Sequence, residues 1–270
     1  MKTFFCAVFG WCFTLSAFAF GNTENLSPAA MARGGSDLAC PAGLFSQTSD
    51  LSLFASDSLS VGLAAANQYG VKELLRYYAS GYCLTSLGLF RLNLSHFGYD
   101  IYHETACTVG YGHTVGRHLG LGANLQALFV RFGEQLKVVP VADFSFSARP
   151  FKKLSVACAV QNISFSAVRL PNRVCPLPVC LGLGLRLDAS KQVHLSLAVE
   201  KQLQAPVLVC GGVQWDLHPV RLYLGIRALE RVSPCLGVGY RHHRWGFDMA
   251  CAYDLRLGLQ SSIGIYTCWR

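Results

Sequence analysis

The chain has 270 residues, of which 52% are hydrophobic and only 14% are charged, against roughly 25% charged in ordinary soluble domains. Its mean hydropathy is +0.33, yet no uninterrupted apolar run of ~18 residues, the length a spanning helix requires, follows residue 20. These figures argue against a soluble globular domain and against a helical membrane protein, and the formal net charge of +8 is spread along the chain with no basic run suited to nucleic acid.

In chain order, residues 1–19 read as an export signal. Lys2 supplies a positive start, Phe4 to Phe13 an apolar core, and Ala17-Phe18-Ala19 an A-x-A cleavage pattern. Residues 20–37 form a flexible lead-in that ends in Arg33-Gly34-Gly35-Ser36, and 38–270 form one β domain. Its strand candidates are 58–69, 81–96, 101–112, 117–132, 137–148, 153–164, 178–188, 192–202, 206–216, 220–229, 234–241, 245–254 and 260–269. Each approaches the roughly ten residues that a tilted membrane strand needs.

The alternation within these segments is inverted. Leu119, Leu121, Ala123, Leu125, Ala127 and Phe129 fall on one side of an extended chain, with Gly120, Gly122, Asn124 and Gln126 on the other. Val179 to Leu187, Val193 to Val199 and Leu222 to Ile226 repeat the pattern, with Gly182, Gly184 and Arg186, or His194, Ser196 and Glu200, or Arg221, Tyr223 and Arg227, opposite them. An aliphatic row where a soluble sheet would place charge, facing a row of glycine and scattered polar groups, predicts a transmembrane antiparallel up-and-down β-barrel. A downward strand at 58–69 requires an upward one before it, within 38–55, which makes about 14 strands, with 12 if an N-terminal pair does not span. Turns near 113–117, 149–152, 188–191, 216–220 and 241–245 come out periplasmic, and 97–100, 133–136 and 165–177 external. Tyr69, Tyr82, Tyr111, Trp215, Tyr240, Trp245, Tyr266 and Trp269 fall near strand ends, where amphipathic rings suit the bilayer interface.

Ionisable residues at membrane depth line water or pair with each other. The inward set of Arg186, His194, Glu200, Arg221, Arg227, Asp248 and Asp254 is therefore expected to line the lumen, either selecting anions in an open pore or forming salt-bridge ladders in a packed one. His194 and Ser196 share a face, as in a serine–histidine lipid hydrolase, but both point inward, away from acyl chains. His242-His243-Arg244 occupies a turn. No P-loop, GxSxG, HExxH or zinc spacing is present, so no catalytic, cofactor or metal site is assigned. Of twelve cysteines, Cys6 and Cys12 leave with the signal; Cys107, Cys158 and Cys251 act as small hydrophobes on the apolar side. Cys175 and Cys180 either pair in an oxidising compartment or stay apart, one of them starting a strand.

Several segments resemble the PorV/PorQ-type outer-membrane proteins of the wider FadL-like barrel class. They are MARGGS (Met31 to Ser36), CPAGL (Cys40 to Leu44, with Cys40 in place of the family's asparagine), LSHFGYDIYHE (Leu94 to Glu104), LGLGANLQALFVRFGE (Leu119 to Glu134), LSVACAVQNIS (Leu154 to Ser164) and VEKQL (Val199 to Leu203). The resemblance implies about fourteen strands with an N-terminal segment near or in the lumen. In the PorV branch it implies a part in type IX secretion, and in the FadL branch the uptake of hydrophobic compounds. The reading is a non-enzymatic protein of a Gram-negative cell outer membrane, acting in transport or as a type IX secretion-associated component. The alternatives are a FadL-like channel for small hydrophobic or anionic compounds and, further off, a lipid-modifying enzyme. Expected partners are outer-membrane lipids and lipopolysaccharide, the barrel-assembly machinery and secretion-system components, with no nucleic acid and no cofactor.

Overall fold

The computed structural model describes residues 27–40, 44–45, 57–99, 101–170, 173–203, 205–229 and 231–269. The export signal, the start of the lead-in and the centre of the CPAGL segment lie outside these residues. Fourteen strands close into an antiparallel barrel: β1 (Leu59–Asn67), β2 (Leu75–Thr85), β3 (Gly88–Tyr99), β4 (Tyr102–Val115), β5 (Leu119–Phe132), β6 (Gln135–Phe151), β7 (Leu154–Gln161), β10 (Cys180–Asp188), β11 (Val193–Gln202), β12 (Val207–Leu217), β13 (Val220–Ala228), β14 (Val232–His242), β15 (Trp245–Asp254) and β16 (Gly258–Trp269). A separate hairpin, β8 (Ala167–Leu170) with β9 (Arg173–Pro176), interrupts the meander between β7 and β10. First and last strands pair from Leu59↔Trp269 to Asn67↔Ser261, so the sheet has no free edge. No helix among the described residues is long and apolar enough to cross a membrane.

The outward rows are those read from the sequence. Leu125 is 70% exposed and Leu183 60%, whereas the intervening Asn124 is 3% exposed. An apolar exterior around a closed ladder satisfies every backbone donor and acceptor within the wall, as hydrocarbon demands. The chain is therefore a β-barrel of an outer membrane. Turns of two to four residues join the strands at the end where β1 begins and β16 finishes; the eighteen-residue β7–β10 connection lies at the other end. Short turns are periplasmic and long loops extracellular in such barrels.

The strand that the sequence places within 38–55 lies elsewhere. The candidate at 81–96 is two strands, β2 and β3, folded at Ser86–Leu87. β2 escapes an aliphatic-row search because its outward face carries Tyr77, Ala79, Gly81 and Cys83, while Arg76, Tyr78, Ser80 and Tyr82 point inward. Its bulk is on the wrong side for the rule. Of 38–55, the described residues Leu38, Ala39, Cys40, Leu44 and Phe45 are buried and outside any strand. Two interfacial aromatics also turn inward: Tyr82 is buried and Tyr266 packs against the buried cluster beside it. Cys175 and Cys180 are both free thiols.

Inside the barrel lies the N-terminal segment. Ser27 caps a single helical turn, α1 (Pro28–Ala32), its hydroxyl accepting from Ala30 N at 3.4 Å. Pro28 starts the helix without forfeiting a hydrogen bond. Gly34 and Gly35, at φ 71° and 93°, then turn the chain in the left-handed region. The rows of small inward residues on the wall are the footprint of this plug. A β-carbon at Gly225 would lie 2.4 Å from Gly34 N, one at Gly237 2.4 Å from Ala32 Cβ, and one at Gly184 2.6 Å from Leu38 Cβ. The segment thus lies flat on β10 and β12 to β15, and Leu44 and Phe45 reach across to β1 and β16, near Gly62 and Gly264.

Candidate functional site

Two polar systems and an extracellular-side chamber occupy the lumen, and a wider polar recess opens at its periplasmic mouth beside Asp216, Arg221 and Arg241. The first system fastens the plug. Ser36 Oγ and Ser196 Oγ are 2.7 Å apart, and Arg33 Nη1 donates to Gln214 Oε1 at 3.0 Å. Across the barrel, the Leu44 carbonyl accepts from Ser80 Oγ at 2.6 Å and from Arg91 Nη2 at 3.1 Å. The plug is therefore tied to β11 and β12 on one side and to β2 and β3 on the other.

The second system holds the charged residues singled out from the sequence. The register brings Asp188, His194, Asp216 and Arg221 together at the periplasmic end of β10 to β13. Arg186 Nε lies 2.7 Å from Asp188 Oδ1; His194 Nδ1 is 2.6 Å from the same oxygen, and its Nε2 is 3.1 Å from Asp216 Oδ2. Gln214 donates to Asp216 at 2.8 Å, which joins the network to the plug through Arg33. Arg221 stands 4.0 Å from Asp216 and 3.5 Å from the Tyr266 hydroxyl, and Tyr223 donates to the buried Asp248 at 3.3 Å. Glu200 and Arg227 are half-buried higher on β11 and β13. Asp254 is at the rim, where its carboxylate accepts the Arg256 and Leu257 amides and closes the β15–β16 turn. Ser196 hydrogen-bonds the plug, and His194 the two aspartates, so the pair does not form a nucleophile–base contact.

Sequence reasoning drew its site residues from β10 to β15 and overlooked the opposite wall. There a cavity of about 110 Å³ opens between the plug and the extracellular hairpin. Phe45 forms part of its floor, and Leu177 and Pro178 its roof. The hairpin is held in place by Val168, fully buried among Val139, Val141 and Leu128, and by Asn162, whose side chain donates to the Leu177 carbonyl at 3.0 Å. Two successive rungs line the wall. The upper carries Tyr78, Ser95, Ala106 and Leu128, the lower Ser80, Asn93, Thr108, Gln126 and Val141. Inward parity on β2 to β6 was the available signal, since Asn93, Glu104, Thr108, Gln126 and Asp143 all sit opposite apolar rows. No group of three or more metal-ligating side chains occurs among the described residues.

Solved structures similar to this chain include monoaromatic hydrocarbon channels. The CymD monoaromatic hydrocarbon channel superposes with a TM-score of 0.67 at 12% identity, covering 92% of this chain and 99% of its own. The fold is FadL-like. The Pseudomonas putida toluene transporter TodX matches with a TM-score of 0.65 at 10% identity over 90% of this chain and 96% of that one. A Pseudomonas aeruginosa FadL homologue matches at 0.64 and 9% over 92% and 99%. No family model matches the sequence, and no curated protein does. The PorV/PorQ affinity implied by the sequence segments finds no support among these structures, whereas the wider FadL-like class does.

Proposed function

We propose that the chain is an outer-membrane channel that admits small, largely apolar molecules through a plugged FadL-like barrel. The observation that carries this reading is the chamber itself: a partly apolar cavity between an extracellular hairpin and a lumenal plug, set apart from the polar recess that opens at the periplasmic mouth beside Asp216, Arg221 and Arg241. The similarity to hydrocarbon channels supports it. A type IX secretion role and a lipid-modifying activity have no comparable observation behind them. Among the described residues, Ser196 bonds the plug and His194 the two aspartates, so the lumen holds no serine–histidine contact.

Expression in cells that lack their own aromatic uptake channels tests the proposal. Uptake of labelled toluene should rise several-fold over cells that carry an empty vector. A correctly inserted, heat-modifiable barrel that leaves uptake at the background rate would overturn it.

A further inference from the structure

The chamber lining carries more hydrogen-bonding capacity than a hydrocarbon can use. Ser95, Thr108, Gln126 and Gln161 line it, all half-buried and on inward positions of β3, β4, β5 and β7. None of the four side chains makes a hydrogen bond within the described residues. They face apolar groups contributed by Tyr78, Phe97, Leu128 and Leu177. The charged members of the lining are engaged by the protein. Asp143 accepts the Asn162 amide at 2.8 Å, Glu104 accepts the Tyr102 hydroxyl, and the Arg76 guanidinium lies 5.0 Å from the Phe97 ring centre.

From this division we infer that the chamber binds an uncharged molecule with one apolar ring and a hydroxyl or carbonyl group, such as an aromatic alcohol; the inference rests on the channel reading. The size is of the same order: a closed cavity of roughly 150 Å³ in another protein accepts benzene, and this one is about 110 Å³ but partly open, which leaves room for a ring substituent. A pure hydrocarbon would cover the two amides and two hydroxyls without replacing their water, which is unfavourable for buried polar groups. An anion would meet Glu104 and Asp143, two carboxylates against a single guanidinium. The apolar ring packs under Leu177 and Leu128, and the oxygen points down to the rung of Thr108 and Gln126.

The test is a ligand-observed NMR titration of the full barrel in phosphatidylcholine nanodiscs, corrected with empty nanodiscs, using benzyl alcohol, toluene and benzoate as probes. Benzyl alcohol should bind about tenfold more tightly than toluene, and benzoate should not compete. Combining Gln126→Leu with Thr108→Val should abolish that preference, through weaker binding of the alcohol and tighter binding of toluene. Gln161→Leu alone serves as a milder variant, and heat-modifiable migration confirms that each variant is folded. Toluene binding that equals or exceeds that of benzyl alcohol in the unsubstituted protein overturns this inference and leaves the channel standing. So does an alcohol preference that survives the substitutions. Binding of none of the three probes, with no toluene uptake in cells, sinks both readings.

Discussion

Gly225→Ala should unseat the plug. The added β-carbon would lie 2.4 Å from Gly34 N, 2.5 Å from Arg33 C and 2.6 Å from Ala32 O, all of them backbone atoms that cannot rotate away. Restoring ordinary contact requires the segment to retreat by about 1 Å, and overpacking of this kind costs about 1–3 kcal/mol. The same retreat stretches the 2.7 Å Ser36–Ser196 and 3.0 Å Arg33–Gln214 bonds beyond useful length, at about 1 kcal/mol each. A total of roughly 3–5 kcal/mol acts on the plug alone, because the wall ladder needs no change. Two assays read the result. Planar-bilayer recordings should show openings absent from the parent. Cys210, fully buried with its sulfur 3.3 Å from where a β-carbon on Gly35 would stand, should become reactive to a water-soluble maleimide. Gly211→Ala, where the new atom meets only the Ile226 side chain, Cγ1 at 3.5 Å and Cδ1 at 3.9 Å, should behave like the parent. A folded Gly225→Ala barrel that stays silent, with Cys210 protected, would refute the reasoning.

Other perturbations probe the wall. Leu183→Arg, mid-strand on the lipid face, should lower folding yield into bilayers by about 2–4 kcal/mol. Leu217→Arg, at the periplasmic end of its strand, should cost no more than about 1 kcal/mol in the same assay. Arg241→Gln removes a guanidinium 2.9 Å from both oxygens of the buried Asp57, just before the first strand. It should lower the temperature at which the barrel loses its compact gel mobility, by an amount that reflects about 1–3 kcal/mol. Parent protein should migrate identically with and without reductant, since every described cysteine is a free thiol; a mobility difference would contradict the separation of Cys175 from Cys180.

Parity in the sequence carries much of this architecture and little of its purpose. β5, β10 and β11 are legible because hydrocarbon selects bulky aliphatics on one face and leaves the other small. β2 is not, because the plug and the chamber demand Tyr78, Tyr82 and Arg76 on its inner side, so its contrast runs backwards. The inward glycines of β10, β12, β13 and β14 read as a pale interior, and only the position of Ala32 to Leu38 shows that they are a seat. His194 is inward by alternation, but its contact with two aspartates depends on registers between three strands that no local pattern fixes.

Ring closure joins Leu59 to Trp269 around a segment that is made before either of them. The final seam is also the most distant in the chain, with Ser60 meeting Cys268 across 208 positions. Such contacts form late. The growing sheet must therefore curl while its own leader already rests on the concave side, or admit that leader through a mouth once sealed. The first route offers the curling sheet a mandrel, and it gives the small residues of β12 to β14 a role during assembly as well as after it.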